Sequence, residues 1–286
     1  MMEVTAMLLL LLFAALPAPS HGWGVDGHLM ICQIAQGRLS DAAAAAVKDL
    51  LPSYAGDDLS SLCSWADDIK FRYHWSSPLH YINTPDELCS YSYDRDCKDE
   101  EGVTGRCVAG AINNYTSQLL TYGKSSESSQ YNLTQALLFL SHFIGDIHQP
   151  LHVGFTSDEG GNTIDVHWYR RKAVLHHVWD ASIIQTAEDD FYGNGVADFI
   201  DTLNKNITGE WSEQVPSWEE CGRNQTACPD IYASESITAA CDWAYKGVQE
   251  DSTLQDAYFF SRLPVVNLRL AQGGVRLAAT LNRIFG

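Results

Sequence analysis

Two histidine–aspartate pairs stand four residues apart: His142 with Asp146 in "SHFIGDIHQPLH", and His176 with Asp180 in "LHHVWD". On a helix that spacing puts both members of a pair on one face. His152 follows six residues after Asp146, just past Pro150, where the chain can fold back toward that face. "SWADD" adds Asp67 on a helical segment, and "SPLHYIN" adds His80 in an extended one. Imidazole and carboxylate together suit zinc in tetrahedral or five-coordinate geometry. One such pair is more often a plain hydrogen-bonded couple. Two pairs with a third histidine leave more buried polar atoms than protein partners readily satisfy. Spacing alone leaves the metal and metal-free readings evenly balanced. The competing hydrolase class has little support, because the chain has no G-x-S-x-G elbow and its cysteines suit disulfides.

Mostly helical segments must position these groups. "SDAAAAAVKDLL" opens on Ser40 as N-cap and continues in strong helix formers. "NLTQALLFLSHFIGDIH" is apolar on most faces, hence a buried helix, and must end before Pro150. "GRCVAGAINNYTSQLLTYG" and "VVNLRLAQGGVRLAATLNRIF" are further helices, the second with a soft Gly273-Gly274 step. Only "NTIDVHWYRRKAVLH" alternates like a short hairpin, and 84–106 and 213–231 read as polar, cysteine-bearing loops. There is no internal repeat. The expected fold is one mainly helical, disulfide-stapled domain over 23–286.

The first 22 residues, "MMEVTAMLLLLLFAALPAPSHG", have the length and polarity of a signal peptide, although Glu3 stands where a base is usual. A cut after Gly22 makes Trp23 the first residue; Ala18 and Ser20 are other cut sites, and a buried N-terminal helix is the other reading. Eight cysteines beyond the leader predict disulfides in an oxidising compartment. Four sequons, at Asn114, Asn132, Asn206 and Asn224, agree with secretion, outside the cell or in a vacuole. No later stretch can span a membrane, and glycans with internal disulfides suit a monomer without a stable protein partner. The formal charge of −18 repels polyanions at long range, which disfavours a nucleic-acid partner unless a local feature reverses the sign.

"WGVDGH", "SWADD", "PLHYINTP", "LSHFIGDIHQPLHVG", "GGNTIDVHW" and "LHHVWD" stand in the order found in plant bifunctional nucleases. The chain thus resembles the type I, mung bean nuclease-like family, which includes the fungal single-strand-specific zinc nucleases. The resemblance covers essentially all of 23–286. It implies a helical fold of the zinc-dependent phospholipase C and single-strand nuclease type, with three zinc ions. One ion takes Asp67, His80, His142 and Asp146. A second takes His152, His176 and Asp180. The third takes His28, a bridging oxygen of Asp146, and the amino nitrogen and carbonyl oxygen of Trp23. A free α-amino group gives up its proton more easily than lysine and closes a chelate ring with its own carbonyl.

The same resemblance implies hydrolysis of single-stranded DNA and RNA to 5′-phosphorylated products, with 3′-nucleotides as further substrates. Asp67 and Asp146 are then catalytic, Lys70 contacts phosphate, Tyr81 stacks on the base, Asn83 meets its edge, and Asn162 orients substrate. His74, His148, His167 and His177 have no ligand role, though His148 and His177 stand beside ligands and can brace them. The implied disulfides are Cys32 with Cys63, Cys89 with Cys241, Cys97 with Cys107, and Cys221 with Cys228. Two rivals remain. One is a zinc-dependent phospholipase C, whose ligand set usually ends in glutamate where this chain has Asp180. The other is a secreted binding or storage protein that keeps the fold.

Overall fold

A computed structural model describes residues 22–124, 130–193, 195–222 and 225–286; all of the 1–22 leader but Gly22, and Asn224 of the fourth sequon, lie outside them. α1 (Val25–Gln36) enters directly after Trp23, and α2 (Asp41–Leu50) starts where Ser40 accepts a hydrogen bond from the Ala43 amide at 3.2 Å. α3 (Trp65–Lys70) is short, and α4 (Tyr93–Asp96) is a single turn. α5 (Val108–Leu119) and α6 (Leu133–Asp146) pack side by side; from Ala136 to Asp146 every residue of α6 is buried. The helix stops four residues before Pro150, as the proline requires.

β1 (Asp165–Trp168) and β2 (Arg171–Val174) form the expected antiparallel hairpin, with Asp165 opposite Val174 and Trp168 opposite Arg171. α7 (Leu175–His177) runs into a π-helical turn at Val178–Ser182 and then α8 (Ile183–Phe191). α9 (Val196–Thr208), α10 (Val215–Glu219) and α11 (Pro229–Ala239) follow. β3 (Ser252–Leu254) pairs parallel to β1, placing Trp168 opposite Leu254, and α12 (Asp256–Phe285) closes the chain. Four disulfides join Cys32 to Cys63, Cys89 to Cys241, Cys97 to Cys107, and Cys221 to Cys228.

Four local expectations change. His80 is not in an extended stretch: it ends a 3₁₀ segment, His74–His80, and the backbone extends only at Tyr81. The two polar stretches read as loops contain α4, α10 and the start of α11, where Pro229 occupies the first turn that tolerates it. β3 gives the hairpin a third strand. The Gly273-Gly274 step is no weak point, since α12 runs unbroken through it. A Cβ on Gly274 would lie 2.5 Å from Ile34 Cγ2, and one on Gly273 3.1 Å from Ile31 Cδ1. The glycines let α12 press directly onto α1. Gly274→Ala is therefore expected to destabilise by roughly 2 kcal/mol, overlap outweighing alanine's helix preference. A thermal melt checks it: a raised Tm would show that the helices separate at no cost.

Candidate metal centre

The site is assembled at the C-terminal end of α6. His142 and Asp146 face the same way there, and α1 brings His28 across them so that its ring stacks on His142 at 3.8 Å between centroids. Gly145 makes this approach feasible, because a Cβ at that position would stand 2.7 Å from His28 Nδ1. The Cys32–Cys63 bond ties α1 to the chain just before α3, which carries Asp67. The Cys63 carbonyl in turn accepts a hydrogen bond from His142 Nδ1 at 2.8 Å, so that Nε2 points inward.

The second half of the site comes from His80 at the end of its 3₁₀ segment, His152 in a further 3₁₀ turn over Pro150–Val153, and His176 in α7. Ile82 N donates to the His152 carbonyl at 2.8 Å, Thr84 N to the Gly154 carbonyl at 2.9 Å, and His152 Nδ1 to the His80 carbonyl at 2.7 Å. These bonds lock His80 beside His152. His176 Nδ1 donates to the Gly160 carbonyl at 2.6 Å. Gly160 has a φ of 66°, and a Cβ there would meet the Leu151 carbonyl at 2.3 Å, so only glycine can present that acceptor.

The inward atoms lie at coordination distances. His142 Nε2 is 3.2 Å from His80 Nδ1, and His176 Nε2 is 3.2 Å from His152 Nε2. Asp146 Oδ2 is 2.9 Å from His80 Nδ1 and 3.2 Å from His142 Nε2, while its Oδ1 lies 3.2 Å from His28 Nε2. Asp180 Oδ2 is 3.3 Å from His176 Nε2, and Asp67 lies 3.6–3.7 Å from His142 and His80. Tetrahedral zinc with N and O ligands near 2.1 Å sets ligand pairs about 3.4 Å apart. Three buried groups have ligand atoms within 4.8 Å of one another: His28 with Asp67 and His142; His80 with His142 and Asp146; and His152 with His176 and Asp180. Among the described residues, both ring nitrogens of His28, His80 Nε2 and Asp146 Oδ1 have no hydrogen-bond partner. Buried polar atoms left this way are costly unless a cation completes them.

The protein alone balances these charges by shifting protons. Burial, then the His142 charge, holds His28 down at about 4; burial, then the His152 charge, holds His176 at about 3. Burial also disfavours the charge on His142, but Asp146 and Asp67 outweigh it and raise that imidazole to about 9. Asp180 is pushed well up by burial. Asp146 is driven well down: burial opposes the shift and the His142 cation prevails.

His28 and His176 stay neutral in the fold, whereas the unfolded chain protonates them near 6.5. Their contribution to stability is therefore present above that value and lost as pH falls toward 4. His142 is raised, so its contribution is complete below 6.5 and lost as pH rises through 9. Asp180 opposes the acid loss, but the lowered histidines, His148 and His152 included, outnumber it. Chelator-treated protein is thus expected to lose on the order of 10 °C in Tm between about pH 6.5 and 5. A flat melting profile over that window contradicts the burial of neutral imidazoles.

A cleft of about 190 Å³ opens onto His80, His152 and His176, and Lys70, Tyr81, Asn83 and Asn162 line it. Lys70 Nζ donates to Asp67 Oδ1 at 3.1 Å. Tyr81 is half-buried; burial, then Glu100 and Glu159, raises its hydroxyl. Asn162 is steadied by donating to the Glu159 carbonyl at 2.8 Å. Trp23 is buried, and Gly24 N holds the Asp180 carbonyl at 2.8 Å, fixing the entry of the chain against the second histidine group.

Gln149 is a contributor that spacing could not reveal. Its amide nitrogen donates to Asp180 Oδ1 and its oxygen accepts from Leu151 N at 2.6 Å, so it aims the carboxylate. Its only sequence signal is a polar residue directly before Pro150. His148 does not join the cluster: its Nδ1 donates to the Ile144 carbonyl, and its Nε2 accepts from Arg276 at 3.0 Å. It braces the end of α6 from below, while His177 and His74 are exposed. Asn114 and Asn132 are exposed and Asn206 half-buried; Asn132 also caps α6.

The S1/P1 Nuclease family model matches residues 23–286. The chain is 67% identical over 282 residues to Endonuclease 2 of Arabidopsis thaliana, covering 98% of this chain and 97% of that one. It is 57% identical to Endonuclease 4 of the same plant, over 92% of this chain and 89% of that one. Nuclease S1 of Aspergillus oryzae is more distant, at 31% over 94% of each.

Proposed function

The chain belongs to the S1/P1 nuclease family, and from that premise we propose a secreted endonuclease that uses three zinc ions to cleave single-stranded DNA and RNA. The observation that carries this reading is a buried set of histidine and aspartate atoms, several without partners, beneath a cleft lined by Lys70 and Tyr81. The endonuclease relatives favour this over phospholipase chemistry or a non-catalytic binding role.

Asp67, His80, His142 and Asp146 would hold one ion, His152, His176 and Asp180 a second, and His28 with Asp146 Oδ1 and the amino nitrogen and carbonyl oxygen of Trp23 a third. When bound, such ions supply Lewis acidity at phosphoryl oxygens and water of lowered pKa. Three dications against three aspartates also leave a local surplus of about +3, which at contact distance outweighs the diffuse charge of −18. The electrostatic part of the affinity is then concentrated on one or two nucleotides, which favours exposed strands over duplex.

Lys70 neutralises a phosphate oxygen while tethered to Asp67. Asp67 and Asp146 orient the attacking water, and Asp67, beside Lys70, takes its proton. A new P–O bond forms as the bond to the 3′ oxygen breaks, that oxygen leaves as a hydroxyl with the proton Asp67 had accepted, and the phosphate stays on the 5′ side of the downstream nucleotide. We extend the same chemistry to a terminal 3′-phosphate, in which the same kind of P–O bond to a 3′ oxygen breaks. Tyr81 stacks on a base whatever its identity, Asn83 meets its edge, and Asn162 steadies the rim. Four disulfides, glycans on the sequons and removal of residues 1–22 belong to the secreted, monomeric form we propose.

End analysis tests the reading. Single-stranded oligonucleotides should give 5′-phosphate ends, matched duplex should resist, and chelator should stop cleavage; 3′-phosphate ends or chelator-insensitive cleavage would overturn it.

A further inference from the structure

Between two cleft-lining residues, Lys70 and Ser77, the chain leaves the pocket and returns, and the excursion alternates cation-capable with aromatic side chains: Lys70, Phe71, Arg72, Tyr73, His74, Trp75. No acidic residue stands between Ile69 and Ser77, in a chain of net charge −18. Phe71 is 58% and Trp75 50% exposed, two large apolar rings left open to solvent four residues apart in the chain. Arg72 is exposed with them.

The surface is held firmly. Tyr73 stacks behind Trp75 at 5.7 Å and 23°, and the buried Phe139 supports the same indole at 5.8 Å. Arg72 N and Tyr73 N both donate to the Ile69 carbonyl at 2.8 Å, and Arg106 donates to the Trp75 carbonyl at 3.2 Å. Trp75 lies two residues from Ser77, hence within about 7 Å of the cleft along the chain. A rigid exposed ring flanked by cations and continuous with a phosphodiesterase cleft matches the chemistry of a nucleobase with its phosphate.

We propose that Phe71 and Trp75, with Arg72 between them, form a stacking platform for a nucleotide beyond the two that flank the scissile phosphate. The platform rests on the nuclease reading above. It makes the protein favour longer single strands over dinucleotides, whereas a duplex, whose bases already stack on one another, cannot use it.

The test compares kcat/KM for a dinucleoside monophosphate and for a thymidine oligonucleotide of about 12 residues. Trp75→Ala should lower the oligonucleotide value roughly 10-fold and leave the dinucleotide value unchanged, with Phe71→Ala acting in the same direction. Trp75→Phe, which keeps a ring, should retain most of the preference. Arg72→Gln should flatten the dependence of log kcat/KM on log salt by about 0.7 for the oligonucleotide. The dinucleotide rate doubles as the folding control: equal losses on both substrates, or no loss on either, overturn the platform. Loss of self-association without loss of oligonucleotide cleavage assigns the surface to a second copy instead and overturns it too. A wild-type chain that cleaves neither substrate overturns the nuclease reading itself.

Discussion

Asp146→Asn is expected to lower kcat by about 10³-fold or more and to release two of the three proposed ions together, the one with His80 and His142 and the one with His28. The side chain has the same shape, so the packing of α6 should survive and the effect isolates chemistry. Asp146 faces both ways: Oδ1 lies 3.2 Å from His28 Nε2, and Oδ2 lies 2.9 Å from His80 and 3.2 Å from His142. An amide turns one of those acceptors into a donor and removes the charge both sides share. Each metal contributes several kcal/mol to phosphoryl transfer, and about 1.4 kcal/mol is tenfold in rate. Metal analysis alongside kcat, with the wild type as reference, checks it. A variant that keeps full metal and full rate would exclude the bridging role.

A form that keeps Gly22 in front of Trp23 is expected to lose about 10²-fold in activity and the metal held by His28. Gly22 is itself buried, and a Cβ on it would stand 1.8 Å from Asp146 Oδ1 and 2.9 Å from His28 Nε2. The residue before Trp23 thus lies against the atoms that would hold the proposed third ion, and it turns the Trp23 nitrogen into an amide, a poor ligand. Removing it leaves a primary amine that sheds its proton readily near neutral pH. Maturation and activation are then one event. Mass spectrometry of both forms, with activity measured on each, decides it; equal rates would separate processing from catalysis.

The half of the site carried by α6 is legible in the sequence because helical periodicity is local. His142 and Asp146 share a face by spacing, Pro150 ends the helix, and Ser40 caps α2 by its own side chain. What the sequence hides depends on contacts between distant segments. β3 joins β1 from beyond α11, and a three-residue strand carries no periodic signal of its own. Gln149 becomes meaningful only when Asp180 arrives against it. Gly273 and Gly274 read as weakness until α1 is laid against them. His80 departs from the extended reading because Pro78 breaks the α pattern yet fits a 3₁₀ turn, in which short-range carbonyl bonds suffice. Grouping the ligands into three ions comes from family resemblance, since local spacing does not say that His28 crosses the chain to meet Asp146.

The most direct measurement is the metal content of the secreted protein by elemental analysis, with its first residue sequenced in the same sample. Three zinc ions per chain beginning at Trp23, falling to zero with chelator as hydrolysis stops, is the predicted result. One ion or none in a fully active protein would contradict it.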